Sequence, residues 1–220
     1  GMREVPLMDK EIKKYIKKRC PFNQMTIMFS KQKVLAAGGY LDWYCDEDYY
    51  LWLRMYLMNY TFANIKDVLC YVRVNSDMYR RRGGKKYFES ERRLQQFMLD
   101  KKIINKKDYC INVITRFFLQ RMCPNVMRKQ LYKFTRKQLP VNYNRSVFNV
   151  NVDETVHNYE AFSVAMCVYG KDNPQYFDQA IESILNQTCP PAEIILVIDG
   201  PIPTEIESVI EKYKNKISSI

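Results

Sequence analysis

Three carboxylates in a row, Asp46, Glu47 and Asp48, stand in "YCDEDYYLWLRM" immediately before a run of aromatic and aliphatic residues. Carboxylates at such spacing can hold a divalent metal, remove a proton from a hydroxyl, or simply begin a helix. Acidic residues are favoured in any first helical turn, because the backbone N–H groups there are unpaired and the helix dipole is positive. The residues alone leave these three readings open. A second candidate lies far along the chain, where Tyr169 and Asp199 each follow an apolar run, "FSVAMCVY" and "EIILVI". An exposed Tyr can stack on a base, and an Asp can accept hydrogen bonds from a base or a ribose. A third is "MYRRRGGKKY", where Arg80, Arg81 and Arg82 precede two glycines. Arginine forks suit phosphate oxygens, although runs of charge are more often plain surface. His157, the only histidine, has no partner at metal-ligand spacing.

The elements that must position these residues can be read from periodicity. Residues 9–18 form a short basic helix, and "MTIMF" (25–29) is a candidate strand. Ser30 is placed to cap a helix over "KQKVLAAG", which the Gly38-Gly39 pair ends. From Asp48 to about Tyr60 the chain is nearly all apolar. Leu51, Met55 and Met58 fall at helical spacing and Trp52 and Leu53 widen the stripe, which predicts a mostly buried helix. "DVLCYVRV" (67–74) alternates as a strand does, and 78–87 reads as a mobile loop. Helical patterns resume over 87–99 and 107–121, and 126–138 is a basic amphipathic tail. Between Leu139 and Asn158 the pattern dissolves into an Asn-rich stretch that reads as a linker. Beyond it lie a buried strand, a helix opened by Asn173-Pro174 and a second buried strand closed by Asp199-Gly200. That is a parallel βαβ unit. In open parallel sheets ligands bind beyond the carboxyl ends of the strands, where Tyr169 and Asp199 fall. A further helix carries Ile206, Val209, Ile210 and Tyr213 on one face, and "ISSI" begins a third strand.

Composition narrows the function classes. With 220 residues, 47% hydrophobic and 14% aromatic, the chain can build a real core. A net charge of +11 points to anionic partners such as phosphorylated substrates or an acidic membrane surface. Nucleic acid is not expected, since the basic residues are scattered and no binding motif is present. Seven irregularly spaced cysteines without a CxxC pair read as reduced thiols in a cytoplasmic setting, with Cys70, Cys110 and Cys167 buried. No secretory-signal pattern opens the chain, its first Gly reads as a cleavage scar, and no apolar run reaches the roughly 20 residues of a membrane span. No GxGxxG or P-loop pattern is present. The basic aromatic segment 107–138 suits either packing on a core or lying on an anionic leaflet.

Two parts of the chain resemble a family 2 glycosyltransferase of GT-A fold. "FSVAMCVYGKDNPQYFDQAIESILNQTCPPAEIILVIDGP" is similar to that family's opening. "PFNQMTIMFSKQKVLAAGGY", "DEDYYLWLRM" and "YVRVNSDMYRRRGGKKYFESE" resemble its later half. Together they cover roughly residues 5–138 and 160–220. The resemblance implies an incomplete or permuted GT-A (Rossmann-like) α/β sheet flanked by helices, with a helix-rich first half. Residues 1–138 would be the acceptor and base half, 139–159 a linker, and 160–220 the nucleotide-binding βαβ half. The family's later half comes first here, and its middle, with the metal-binding Asp-x-Asp, is missing. The chain then spans the junction of two tandem modules or is a permuted arrangement. The resemblance makes Asp48 the general base with Glu47 beside it, and gives Val168, Tyr169, Gly170, Asp199 and Gly200 to the nucleotide. Arg80, Arg81 and Arg82 would close over the diphosphate. Gln24 stands where the family often has a His. No residue here is assigned to a metal, although a divalent Mn or Mg is implied for the complete enzyme. The implied partners are a nucleotide-sugar donor and a glycan or lipid-linked acceptor in surface polysaccharide biosynthesis. Peripheral membrane contact at the inner face and dimerisation or strand exchange are further expectations, with weak turnover from these 220 residues alone. The alternative is a non-catalytic scaffold or docking segment between transferase modules.

Overall fold

In a computed structural model the chain divides into two compact units, Gly1–Tyr143 and Asn144–Ile220. The structure describes residues 4–70, 83–123, 130 and 160–215, and the backbone of 218–219. The expected linker over 139–159, His157, the arginines 80–82 and nearly all of the basic tail lie outside the described residues.

The first unit is helical. Its elements are α1 (Asp9–Tyr15), a 3₁₀ turn (Gln24–Thr26), α2 (Lys31–Ala36), α3 (Glu47–Leu57), α4 (Lys85–Asp100) and α5 (Lys106–Phe117), which runs on into a π-helical turn (Phe118–Met122). The helix α3 lies at the centre because it is apolar nearly all round. Tyr49, Leu51, Trp52, Leu53 and Met55 are all buried, within one cluster that includes Ile12 and Ile16 of the α1 region and Leu94 and Met98 of α4. Burying one such side chain stabilises the fold by about 1.5–3 kcal/mol, so this helix is the fixed platform for whatever its first turn presents. The stripe is narrower than its periodicity suggests. Met58 follows the last turn of α3 and is exposed.

Two glycines end α2. Gly38 has φ +87°, and its N–H bonds to the carbonyl of Leu35. The Arg54 guanidinium of α3 donates to the carbonyls of Ala37 and Gly39 and lies over the Tyr50 ring. That grip fixes the chain entering the acidic turn.

Several expectations change. "MTIMF" is no strand: Gln24–Thr26 is a 3₁₀ turn, and Met25 and Met28 are largely exposed. Among the described residues the first unit has no sheet, and a short apolar run without a neighbouring strand has nothing to satisfy its backbone. Residues 67–70 are likewise not strand, and 71–74 fall outside the described residues. None of the seven cysteines is in a disulfide, but Cys70, Cys110 and Cys167 are exposed. Apolar sequence neighbours do not bury a residue that its helix or strand turns outward.

The second unit follows its pattern closely. Strands β1 (Ser163–Tyr169), β2 (Glu193–Asp199) and β3 (Ser218–Ser219) form a parallel sheet in the order β1-β2-β3. Helix α6 (Pro174–Leu185) joins the first two strands, and α7 (Thr204–Tyr213) precedes the third. Asn173 caps α6 by accepting from the Tyr176 N–H at 3.0 Å, with Pro174 at the first helical position. Phe177, Ile181, Ile206 and Tyr213 pack with Val168 and Leu196. Asp178 ties the two helices by accepting from Lys212 at 2.7 Å and Tyr213 at 2.8 Å. The strands are not buried on both faces as their composition suggests. Their alternate residues, including Cys167 and Val197, remain exposed. Among the described residues the chain is thus mixed α/β, helix-rich in its first unit, with one small parallel sheet in its second.

Candidate active-site elements

The acidic turn is built by a tight reversal. Cys45 takes a left-handed conformation, φ +60°, and Asp46 then begins α3. The three carboxylates do not converge. Asp46 stands at the cap position yet does not cap the helix; it is 4% exposed. Its carboxyl is pushed up to about 8, first by burial and then by the charge of Glu91, with the nearby Ser90 hydroxyl acting the other way. Its Oδ2 is buried without a hydrogen-bond partner. Glu47 is exposed and Asp48 half-buried. Asp48 Oδ1 accepts from the Tyr49 N–H at 2.6 Å, at the positive end of the helix dipole.

Tyr40 joins this outer face. Gln24 donates its amide to the Tyr40 hydroxyl at 2.6 Å, which leaves the phenolic proton to be given elsewhere. The Tyr40 hydroxyl is pushed up by partial burial and by the nearby charges of Asp48 and Glu47. Gln24, Tyr40, Glu47 and Asp48 therefore share one accessible surface. That surface can orient and deprotonate a hydroxyl. Tyr40 was not singled out in the sequence, where it is only the residue closing "AAGGY".

Behind the turn lies a buried polar hub that local sequence does not announce. The Ser90 hydroxyl donates to the carbonyl of Tyr44 at 2.6 Å, and the Trp43 indole donates to the carbonyl of Ser90 at 3.4 Å. The next residue, Glu91, is paired with Arg116 of α5, and both side chains are only 12% exposed. Burial pulls the guanidinium pKa down, but the Glu91 charge and hydrogen bond outweigh it and leave it raised. Arg116 also donates to the Lys18 carbonyl at 2.8 Å, while Asn112 donates to the Lys17 carbonyl at 3.1 Å and to Gln95 at 2.9 Å. The hub thus fixes α4, α5 and the end of the α1 segment to the acidic turn.

A metal does not fit residues 46–48. Two of the carboxyls face opposite ways, one buried against Ser90 and Glu91 and one in solvent. Among the described residues no three His, Cys, Asp or Glu side chains are grouped to hold an ion.

In the second unit, register sets Tyr169 directly beside Asp199, and Val168 beside Ile198, at the carboxyl ends of β1 and β2. Tyr169 is 46% exposed and Asp199 is exposed. The Tyr169 N–H is held by Asp172 at 3.1 Å. The two strand-end loops meet at Gly170, where an added Cβ would lie 2.6 Å from the carbonyl oxygen of Pro201. Gly170 and Gly200 therefore shape the rim. Val168 differs from its expected role: its side chain is 1% exposed, in the core with Ile181 and Leu196, so only its backbone can reach a ligand. The strand ends offer an exposed ring, a carboxylate and a close-set backbone, which suits a nucleoside.

Residues 163–220 match the model of glycosyl transferase family 2. A Haemophilus influenzae protein named "Uncharacterized glycosyltransferase" is 38% identical over 136 residues, covering 61% of this chain and 50% of the relative. An Escherichia coli UDP-Gal:alpha-D-GlcNAc-diphosphoundecaprenol beta-1,3-galactosyltransferase is 37% identical over 132 residues, 60% of this chain and 47% of the relative. The comparisons support a family 2 glycosyltransferase. The amylovoran biosynthesis glycosyltransferase AmsE of Erwinia amylovora is 39% identical over 98 residues, 44% of this chain and 37% of the relative. Each aligned stretch is longer than the whole second unit, so the likeness to glycosyltransferases takes in residues of the first unit as well. The chain spans about half the length of the first two relatives and less of the third. No solved structure matches the chain.

Proposed function

We propose that the chain carries two parts of a glycosyltransferase that moves a sugar from a nucleotide-sugar donor to a hydroxyl of a glycan or lipid-linked acceptor in surface polysaccharide biosynthesis. The observation that carries this reading is the outer face of the acidic turn. Asp48 is half-buried on the first turn of an immobile helix, next to Glu47, Tyr40 and Gln24. A carboxylate placed there stays ionised and aimed. Asp48 takes the acceptor O–H proton as that oxygen bonds to the anomeric carbon. The bond from that carbon to the diphosphate oxygen breaks on the opposite side, and the nucleoside diphosphate leaves with the electron pair. The configuration at carbon is inverted. Glu47 and Tyr40 orient the acceptor. The second unit opens the next module, where Tyr169 takes the base and Asp199 with the Gly170 and Gly200 backbone takes the nucleoside of that module's own donor. Arg80, Arg81 and Arg82 remain the proposed diphosphate contacts. The named activity of the Escherichia coli relative supports the donor and acceptor classes.

Within this reading the chain spans the junction of two tandem modules, and the GT-A sheet is completed by residues that this chain lacks. A divalent Mn or Mg on the diphosphate belongs to that completed enzyme, held by residues other than 46–48. Work on a lipid-linked acceptor places the chain on the cytoplasmic side of a membrane.

The test has two arms. Saturation-transfer difference NMR with a panel of nucleoside diphosphates should show binding that Tyr169→Ala and Asp199→Ala remove and Asp48→Asn keeps. Transfer from labelled nucleotide sugars to a bacterial lipid extract should be weak with this chain, and Asp48→Asn should abolish what is seen. Nucleotide binding that ignores Tyr169 and Asp199, or transfer that survives Asp48→Asn, refutes the assignment.

A further inference from the structure

Helix α5 and its π-helical turn expose an apolar stripe that the sugar-transfer reading does not use. Ile111, Ile114, Phe118 and Met122 recur at helical spacing and are 52%, 56%, 54% and 61% exposed. The opposite side of the same helix is engaged: Asn112 is buried on Gln95, and Arg116 is buried on Glu91. The apolar side chains therefore line the outer face, the reverse of a helix that packs its stripe on a core.

Charge says what this face meets. From Tyr109 through Val152 the sequence holds no Asp or Glu and eight Lys or Arg. Of these, Arg116 is taken internally by Glu91 and Arg121 is exposed, and the other six lie outside the described residues. Exposed Lys107 lies one turn before Ile111, and exposed Arg121 lies beside Met122. The start of α4 adds Lys85 and Lys86, brought close by the hydrogen bond from the Gly84 N–H to the carbonyl of Gln120 at 3.1 Å. Two carboxylates border the stripe. Glu89 lies 3.9 Å from Lys85, and Asp108 is half-buried at the start of α5. The helix and its π turn together are only about 25 Å long at 1.5 Å per residue, and α5 carries charges along its length. Among the described residues no helix is long and apolar enough to cross a membrane.

We propose that this stripe is a membrane-docking surface. It lies in the plane of an anionic bilayer, with Ile111, Ile114, Phe118 and Met122 in the headgroup boundary and the flanking cations on lipid phosphates. The inference goes beyond sugar transfer and does not need it.

The experiment is vesicle flotation of the full chain with phosphatidylglycerol-rich vesicles and, separately, neutral phosphatidylcholine vesicles. The parent should float with the anionic vesicles only, and less in high salt. The double variant Ile114→Glu/Phe118→Glu keeps every cation and should lower partitioning about tenfold or more. Because both positions are exposed, its circular dichroism should match the parent. Phe118→Trp gives a second readout that asks little of the fold, and its extra emission should shift to the blue on anionic vesicles. Unchanged flotation of the double variant, or an unmoved Phe118→Trp emission, overturns the proposal. So does a double variant that alters self-association by light scattering while vesicle binding stays the same, since the stripe would then meet a second copy.

Discussion

Replacing Arg116 with Met should cost the first unit about 3–5 kcal/mol, the range for breaking a buried ion pair from one side. Arg116 and Glu91 are each 12% exposed, so little solvent is at hand to screen the carboxylate that stays behind. Glu91 would then sit uncompensated next to Asp46, whose carboxyl its charge already pushes up. The carbonyl of Lys18 would also lose its 2.8 Å donor. For contrast, the Lys214–Glu211 pair is 59% and 66% exposed, and breaking it should cost at most about 1 kcal/mol. Urea unfolding followed by tryptophan fluorescence is the assay. Trp43 and Trp52, the only tryptophans, both belong to the first unit, and Trp43 touches the hub through Ser90. Glu91→Gln/Arg116→Met should recover most of the loss, since no buried charge remains. A loss below about 1 kcal/mol, or a double variant as weak as the single, would refute the view that the hub is a buried pair holding the acidic turn.

Asp46→Asn tests the inward carboxyl. Its folded pKa is raised to about 8, so between roughly pH 4 and 8 the folded chain holds a proton that the unfolded chain has released, and stability falls as pH rises. Asn cannot ionise, so the advantage of the variant over the parent should grow by about 2 kcal/mol or more from pH 5 to 8; parallel pH profiles in urea would sink this. Gly170→Ala should drive a Cβ against the Pro201 carbonyl, destabilise the second unit by about 1–3 kcal/mol and weaken nucleoside diphosphate binding, measured by thermal melts and NMR titration. Gly38→Ala meets both a φ of +87° and the Arg54 guanidinium at 2.9 Å. It should cost about 1–2 kcal/mol in urea, and an unchanged midpoint would mean the α2 turn is not gripped as described.

Local patterns carried much of the fold. The βαβ unit was legible because each of its elements has its own period and its own stop, Asn173-Pro174 for α6 and the strand-end Asp199 for β2. The apolar run after Asp48 gave α3 for the same reason. What local pattern could not supply was facing. A strand's composition does not say that only one of its sides is covered, so Cys167 and Val197 are exposed in runs that look buried. An amphipathic helix reads the same whether its stripe meets a core or solvent, and only packing turned Ile111, Ile114 and Phe118 outward. The three adjacent carboxylates were visible as a cluster. Their separation into a buried, protonatable Asp46 and an outward Glu47 and Asp48 was decided by Ser90, Glu91 and Arg116, which lie more than forty residues away in sequence. Local sequence was enough for most of the helices and for β1 and β2, because those preferences are written in neighbours a few residues apart, but not for 25–29, whose apolar run has no neighbouring strand among the described residues. Tertiary structure alone decided which carboxylate meets solvent, because desolvation and charge pairing depend on groups that only folding brings together.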